Sequence, residues 1–331
     1  GLQQFFASGH LYAGPGFKDY AAFLNRMNQQ WAFFAGTRGA TQTALFCSDR
    51  LFYKIPVGED ARSCLQNEYR QHRQWQGFPF RHLRIARAYF SGDVLVQQDI
   101  AANGKRADQL TALHWNVLQE LASLDASNLV IEVHPAWKRA DAQLQFLRDN
   151  PHPHIPAGII EKLSLLKKSI HPCTVVPASF GHGDFTPWNM FVQEQQIALV
   201  DWEMASAGTP LFFDALHFVY QQATLVDRVS PAELTTRIHS LFESTAAKTM
   251  QAASGASPVM QHKLYLLFTA CSSLVQYATR TDWRVQNHWS VAAWNAQLTN
   301  LLAAEQQLTQ RQLLVSDLFD YLQPHKYAVV K

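Results

Sequence analysis

Three features of the chain predict an α+β protein of two lobes, a small β-rich one followed by a larger, mainly helical one. Short β-prone runs crowd the first hundred residues, a polar break follows at Gln97-Gln98-Asp99, and beyond it apolar residues recur at three- and four-residue steps. The expected boundaries are residues 1–98 for the first lobe, 99–104 for a hinge and 105–331 for the second lobe. A length of 331 residues suits this division, at about 150 residues per domain.

In the first lobe, Trp31 to Ala35 and Thr43 to Cys47 read as strands separated by the turn Gly36-Thr37-Arg38-Gly39. Ser48-Asp49 is a second turn, and Arg50 to Val57 is a further strand carrying Lys54. A helix fits Ala61 to Trp75, with Leu65, Tyr69 and His72 on one face and Glu68 close to it. Val94, Leu95 and Val96 form one more short strand.

In the second lobe, Leu110, Leu113, Val117, Leu121 and Leu124 predict a helix whose start Asp108 caps. Ile159, Leu163, Leu166 and Ile170 predict another, entered through a loop marked by Pro151, Pro153 and Pro156. Ser230-Pro231-Ala232-Glu233 is a capping box with proline at the first helical position, and long helical patterns continue to the C-terminus. A single short strand, Ile197 to Asp201, is expected within this helical lobe.

Composition removes several classes of function. With 47% hydrophobic and 16% charged residues the chain builds a core and is not disordered. Twenty-eight Lys+Arg against 26 Asp+Glu give a formal charge of +2, too balanced for a dedicated nucleic-acid or membrane-surface binder. Cys47, Cys64, Cys173 and Cys271 match no zinc spacing and are too sparse for a disulfide framework, which points to a reducing, cytoplasmic setting. No run approaches the roughly 18 apolar residues of a membrane span. Gly1-Leu2-Gln3-Gln4-Phe5-Phe6 does not read as a signal peptide, and without an initiator Met the chain reads as trimmed or as the end of a longer protein.

The segment that carries chemistry is Ser179-Phe180-Gly181-His182-Gly183-Asp184-Phe185-Thr186-Pro187-Trp188-Asn189, followed by Ile197-Ala198-Leu199-Val200-Asp201-Trp202-Glu203. Its glycines and proline exclude regular helix, so it is a loop leading into a β-hairpin whose second strand is Ile197 to Val200. Asp184, Asn189 and Asp201 then gather on two adjacent loops, a set of hard oxygen donors of the kind Mg²⁺ takes together with substrate phosphates.

His-Gly-Asp, an Asn five positions after the Asp, and an apolar strand ending in Asp-Trp-Glu resemble the aminoglycoside phosphotransferase and choline kinase family, which shares the bilobal protein-kinase-like fold. The match is best over residues 179 to 220, with weaker correspondences back to about residue 31. The resemblance implies that Asp184 accepts or orients the proton of a substrate hydroxyl as it attacks the γ-phosphate. It implies that Asn189 and Asp201 hold Mg²⁺, with Glu203 near the metal's water shell. His182 reads as a hydrogen-bonder that orients the loop, and Asp214 as a structural buttress beneath it. In the first lobe the resemblance pairs Lys54, for the nucleotide's phosphates, with Glu68 fourteen positions later. The bland readings are an edge-strand lysine and an exposed helix charge. Gly36-Thr37-Arg38-Gly39-Ala40 departs from the glycine-rich loop of protein kinases, and a bare hairpin turn reads as well. Gln97, Gln98 and Asp99 fall where the resemblance places adenine against backbone groups; ATP is the default nucleotide and GTP stays open.

The acceptor is expected to be a small-molecule hydroxyl: sugar-, choline- or aminoglycoside-like. From residue 205 onward eight acids stand against nine bases, which disfavours a polycationic aminoglycoside. Tyr277, Trp283, Trp289 and Trp294 suit an aromatic cage, a sugar-stacking surface or plain helix core. An inactive kinase-like nucleotide-binding or scaffold domain is the alternative. Against it, Lys54, Glu68, Asp184, Asn189 and Asp201 are all present. A metal hydrolase lacks further nearby histidines, and a protein kinase lacks both the glycine-rich loop and an Ala-Pro-Glu after Asp201.

Overall fold

The computed structural model describes residues 32–34, 41–48, 50–101, 104–280 and 283–322. The expected turn at Gly36 to Ala40 lies outside the described residues, as do Trp31, Ala35 and Asp49. The first part of the chain runs β1 (Ala32–Phe34), β2 (Thr43–Ser48), β3 (Leu51–Pro56), α1 (Ala61–Trp75), β4 (Leu83–Arg84), β5 (Ala88–Ser91) and β6 (Val94–Gln98). Five of these strands form an antiparallel sheet in the order β1-β2-β3-β6-β5, so β3 is central. Alternation along β3 and β6 divides their side chains between two faces. Tyr53 packs with Val96 on one face, while Lys54 lies opposite Leu95 on the other, and Leu95 packs with Leu65 of α1. Lys54 is therefore no edge-strand lysine.

The second part runs β7 (Lys105–Arg106), α2 (Ala112–Leu124), β8 (Ser127–Val130), α3 (Pro135–Asp149), α4 (Ala157–Lys168), β9 (Val175–Gly181), β10 (Met190–Gln193), β11 (Gln196–Leu199) and β12 (Ser206–Pro210). Helices α5 (Phe213–Gln221), α6 (Pro231–Glu243), α7 (Thr245–Ser254), α8 (Pro258–Thr279) and α9 (Val285–Leu322) complete it. The expectation of a single strand here is corrected. The strands form two small sheets, β4-β11-β10-β7 and β12-β9-β8, with β4 crossing from the first part to pair in parallel with β11. Most of these strands have two to five residues, too few for periodicity to register, and Pro177 interrupts the one long run, β9.

The cap of α2 is also corrected. The hydroxyl and N–H of Thr111 lie 2.8 and 3.1 Å from Nδ1 of His114, so Thr111 rather than Asp108 opens the helix. Burial holds His114 down at about 4, leaving the neutral ring with a lone pair for that N–H. The expected cap at Ser230 forms, its Oγ accepting from the N–H of Glu233 at 3.2 Å.

One large hydrophobic core fills the second part, with Phe185, Trp202, Phe212, Tyr220 and Tyr265 among its fully buried side chains. Helices α5 and α8 meet along a polar seam inside it. The N–H of Phe212 donates to Oε1 of Gln261 at 3.0 Å, and the Tyr220 hydroxyl donates to Nε2 of His262 at 2.6 Å. After α5 the chain widens into a π-helical turn at Gln222–Val226. Among the described residues no helix is long and apolar enough to cross a membrane.

The α5–α8 seam has a pH signature. Burial lowers His262 to about 4, whereas the unfolded ring titrates at about 6.5. The unfolded state then takes up the proton first, so the stability this neutral histidine contributes is present above pH 6.5 and is lost progressively as pH falls to about 4. His262→Gln keeps an oxygen to accept from Tyr220 and removes the titration. Its melting temperature is expected to fall less between pH 6.5 and 4 than that of the wild type, and equal slopes would reject the assignment.

Candidate active site

The loop after β9 is built from below. At Gly183 the backbone takes φ +80°, and a Cβ would lie 2.6 Å from the Met204 carbonyl oxygen, so glycine is required twice over. Such a loop lacks ladder partners for its N–H groups and needs others. Asp214, buried in the first turn of α5, supplies them, accepting from the N–H of His182 at 2.6 Å and of Gly183 at 2.9 Å. His182 is also buried; its Nδ1 accepts from the N–H of Asp184 at 3.3 Å, and its Nε2 donates to the Val200 carbonyl at 3.1 Å. The ring meets Trp202 edge-on at 4.8 Å.

Asp184, Asn189 and Asp201 come together on this base. A 3₁₀ turn, Pro187–Asn189, delivers Asn189 to the start of β10, and the N–H of Val200 donates to the Asn189 carbonyl at 3.0 Å. Asn189 and Asp201 therefore flank the same end of the β10–β11 hairpin. The Asn189 amide donates to Oδ2 of Asp184 at 2.8 Å and to its backbone carbonyl at 3.1 Å. Asp201 sits in the left-handed region, φ 70° and ψ 63°, a conformation uncommon for a residue other than glycine and found disproportionately at functional sites.

Lys54 reaches Asp201 from the central strand of the other sheet. Its Nζ lies 2.7 Å from Oδ1 of Asp201 and 2.7 Å from both oxygens of Glu68, which is fully buried. Burial alone would lower the Lys54 pKa, but the Asp201 and Glu68 carboxylates outweigh it and hold it well above the usual lysine range. Burial likewise pushes Glu68 up, and Lys54 with His72 pulls it well below the usual carboxylate range. Asn67 of α1 donates to the backbone carbonyls of Glu203 at 2.8 Å and Ala205 at 3.2 Å, tying the helix to the turn after Asp201.

The three hinge residues take different places. The buried Gln97 amide donates to Oε1 of Glu68 at 2.7 Å and to Nε2 of His72 at 2.9 Å, while His72 donates through Nδ1 to the Ala86 carbonyl at 2.9 Å. The N–H groups of Gln98 and Asp99 donate within the protein, to Arg87 O at 2.9 Å and Arg50 O at 2.7 Å. Asp99 Oδ1 accepts from the N–H of Ala101 at 2.9 Å. Glu203 follows Asp201 on a 3₁₀ turn, and burial, reinforced by the Asp201 charge, pushes its carboxyl up to about 7.

Sequence reasoning missed His217 on α5. Its Nε2 lies 3.1 Å from Oδ1 of Asp184, and its Nδ1 lies 3.2 Å from the Tyr265 hydroxyl. A signal was present, because Asp214 and His217 are three residues apart on one helix and so share a face. Burial pushes Asp184 up, and hydrogen bonds from His217 and Asn189 reverse this, leaving the carboxyl below its ordinary range. The aromatic and acidic residues expected to bear on the acceptor are mostly engaged within the fold. Trp294 is core, Tyr277 stacks on it at 6.1 Å and 17°, and Trp283 meets Tyr277 edge-on. Trp289 lies under the Arg228 guanidinium at 4.3 Å. Of the acids past residue 205, Asp227 and Glu233 pair with Arg237, Glu243 with Lys248 and Glu305 with Lys263.

The donor set fits Mg²⁺. Among the described residues no three His, Cys, Asp or Glu side chains are arranged to hold a metal ion by themselves. Asn189 spends its Nδ2 on Asp184, which leaves its carbonyl oxygen, and Asp201 has its Oδ2 beyond the contact with Lys54. Two hard oxygens completed by water and phosphate are the usual provision for Mg²⁺.

Removing one partner of a buried ion pair strands the other's charge and costs about 3–5 kcal/mol. Glu68→Gln is expected to lose that much in urea denaturation at pH 7. Because a depressed carboxyl contributes stability that is lost as pH falls below about 4.3, the difference between variant and wild type should shrink on acidification. A constant difference would reject the pairing.

The chain's relationships accord with this geometry. A family model described as APH, the phosphotransferase enzyme family, matches residues 75–244, about half of the chain. No curated protein matches it. Among solved structures, the choline kinase LicA from Streptococcus pneumoniae superimposes with a TM-score of 0.54 at 13% identity, covering 86% of this chain and 99% of the other. A GDP and kanamycin complex of APH(2")-IIia gives 0.55 at 13% identity, over 87% and 99% of the two chains. A streptomycin–ATP ternary complex of APH(2")-IIa gives 0.51 at 14% identity, over 88% and 99%. At such identities the likeness speaks for the fold, the bilobal protein-kinase-like α+β arrangement. The family match spans the loop bearing Asp184, the β10–β11 hairpin and helix α5 beneath them, and on that ground the chain belongs to the phosphotransferase enzyme family.

Proposed function

We propose that the protein transfers the γ-phosphoryl group of a magnesium-bound nucleoside triphosphate to a hydroxyl of a small molecule. The observation that carries this reading is the unbroken line of contacts from Glu68 through Lys54 to Asp201, with Asn189 and Asp184 across the end of the same hairpin. ATP is the default nucleotide; the solved relatives include one with ATP and one with GDP, so the base stays open between adenine and guanine. Gln97, Gln98 and Asp99 border the nucleotide side. Four unpaired cysteines accord with a reducing cytoplasm.

In this reading Lys54 neutralises phosphate oxygens and Glu68 aims it, held by Gln97. Asn189 and Asp201 would hold Mg²⁺, with Glu203 nearby, and the ion would supply charge neutralisation on the phosphates. The acceptor oxygen attacks the γ-phosphorus, the bond to the β–γ bridging oxygen breaks, a nucleoside diphosphate leaves, and the acceptor's proton passes to Asp184. An ionised Asp184 of lowered pKa is a weak base, which suits a loose transition state in which orienting the hydroxyl matters more than early deprotonation. Among the described residues past 205, the carboxylates of Asp227, Glu233, Glu243 and Glu305 are already paired, which favours a sugar- or choline-like acceptor over an aminoglycoside.

Purified protein with ATP, Mg²⁺ and a panel of small alcohols is expected to release ADP when the acceptor is present. Asp184→Ala should lower that release by about 10²–10⁴-fold, the usual weight of a positioned base, with the melting temperature preserved. ADP release untouched by the substitution would remove Asp184 from its role. EDTA, or Asp201→Ala, should erase the rise in melting temperature that ATP with Mg²⁺ produces; a rise that survives both would mean that Asp201 holds no metal.

A further inference from the structure

The helical lobe contains one polar line that the proposed chemistry does not yet use. It runs from Oδ1 of Asp184 to Nε2 of His217 at 3.1 Å, and from Nδ1 of His217 to the Tyr265 hydroxyl at 3.2 Å. We infer that His217 is a positioning residue for phosphoryl transfer, a neutral imidazole locked by Tyr265 in the tautomer that carries its proton on Nε2 and gives it to Asp184. This rests on the reading of Asp184 as the group that faces the acceptor hydroxyl.

The tautomer follows from hydrogen-bond accounting. Tyr265 is fully buried, and a buried phenol keeps its proton and must donate it. Burial pushes its pKa well above the usual value. Its hydroxyl lies within hydrogen-bond distance of Nδ1 of His217, so it donates there and Nδ1 accepts. A neutral imidazole accepting at Nδ1 carries its hydrogen on Nε2, and Nε2 faces a carboxylate oxygen. The ring plane is held as well. Phe213 lies parallel to it at 6.1 Å and 9°, and Tyr265 meets it edge-on at 6.0 Å.

Asp184 is thereby gripped at both oxygens, Oδ1 by His217 from α5 and Oδ2 by the Asn189 amide at 2.8 Å from the hairpin. Two donors on two separate elements prevent the carboxylate from turning about its last bond. Each oxygen retains a second lone pair, and the two grips decide where those point. The line also explains the placement of α5. Asp214 fixes the loop's backbone and His217, one turn further on, fixes its reactive side chain. A single helix thus sets both the height of Asp184 and its rotation.

Two measurements test this, one of them independent of turnover. In wild-type protein with ¹⁵N-labelled histidine, the His217 resonances, assigned by their loss in His217→Gln, are expected to show a neutral ring protonated at Nε2 at pH 7.5. Tyr265→Phe should shift the ring away from that single tautomer. An Nδ1-protonated ring, or one unmoved by Tyr265→Phe, would overturn the inference. The second measurement is ADP release with ATP and Mg²⁺ across the alcohol panel. His217→Ala should lower kcat on the order of 10²-fold, the scale of a small misplacement of a reacting group, with the KM for ATP unchanged. His217→Gln, whose Nε2 amide can donate from the same place, should recover most of the loss. Tyr265→Phe should lower kcat in the wild type but not further in the His217→Gln background. Equal losses in Ala and Gln variants, or a changed KM with unchanged kcat, would also overturn it. Asp184→Ala, run alongside, tests the proposed function by itself: ADP release that survives it rejects that reading whatever the His217 tautomer.

Discussion

Lys54 Nζ lies 2.7 Å from carboxylates in two different parts of the chain, Glu68 on α1 and Asp201 beyond β11, and the rest of the site is arranged around what that contact requires. A buried ammonium is tolerable only when its charge is matched and its donors are used. Both conditions are met here, and each partner is in turn held. Gln97 secures Glu68 from the sheet side. Asn67 ties α1 to the turn that carries Asp201, and Trp202, fully buried, anchors that turn through its indole N–H to the Leu199 carbonyl at 2.9 Å. The central position of β3 adds rigidity, since strands on both sides fix its backbone. The lysine thus meets a carboxylate in a left-handed backbone position.

Beyond Asp201 the same logic continues without a cation. The loop bearing Asp184 has backbone N–H groups that no strand satisfies, and Asp214 and His182 accept them from beneath. The outcome is a carboxylate supported by helix α5, by the hairpin through Asn189 and by His217. Glu68, Asp184, Asp201 and Glu203 leave Lys54 outnumbered, and Glu203, raised first by burial, is raised further by the neighbouring carboxylates. A divalent cation and a polyphosphate arriving together would relieve that crowding, which a bare anion would only worsen.

The residues whose placement was legible beforehand share one property: they lie within a short span whose local geometry is constrained. Gly181-His182-Gly183-Asp184 to Asn189 and the apolar strand into Asp201 form one loop and one hairpin, so spacing alone brings their oxygens near one another. The helix Ala61–Trp75 was legible for a similar reason, through Leu65 and His72 on one face, and its bounds agree with expectation. The failures are as local. Strands β7, β8, β9 and β12 are short or interrupted by proline, so no alternation marks them. Thr111 displaced Asp108 as a cap because His114, three residues on, offers a ring lone pair to its N–H, an arrangement that only the folded helix sets up.

Gln97 and His217 show where sequence reasoning reaches its end. Gln97 was expected as one of three polar residues in a hinge, and His217 carried no expectation at all. Yet Gln97 secures a carboxylate 29 positions earlier, and His217 secures one 33 positions earlier. By itself the sequence determined the two-lobed class, the loop around Asp184, the hairpin and the identity of the charged groups, because these depend on neighbours along the chain. Tertiary structure alone decided which atoms face which: Lys54 with Asp201 across 147 residues, Asp184 with His217, His217 with Tyr265. A hydrogen bond needs its partners placed to a few tenths of an ångström, and that placement comes from the packing of whole helices and sheets, a quantity that no local spacing encodes.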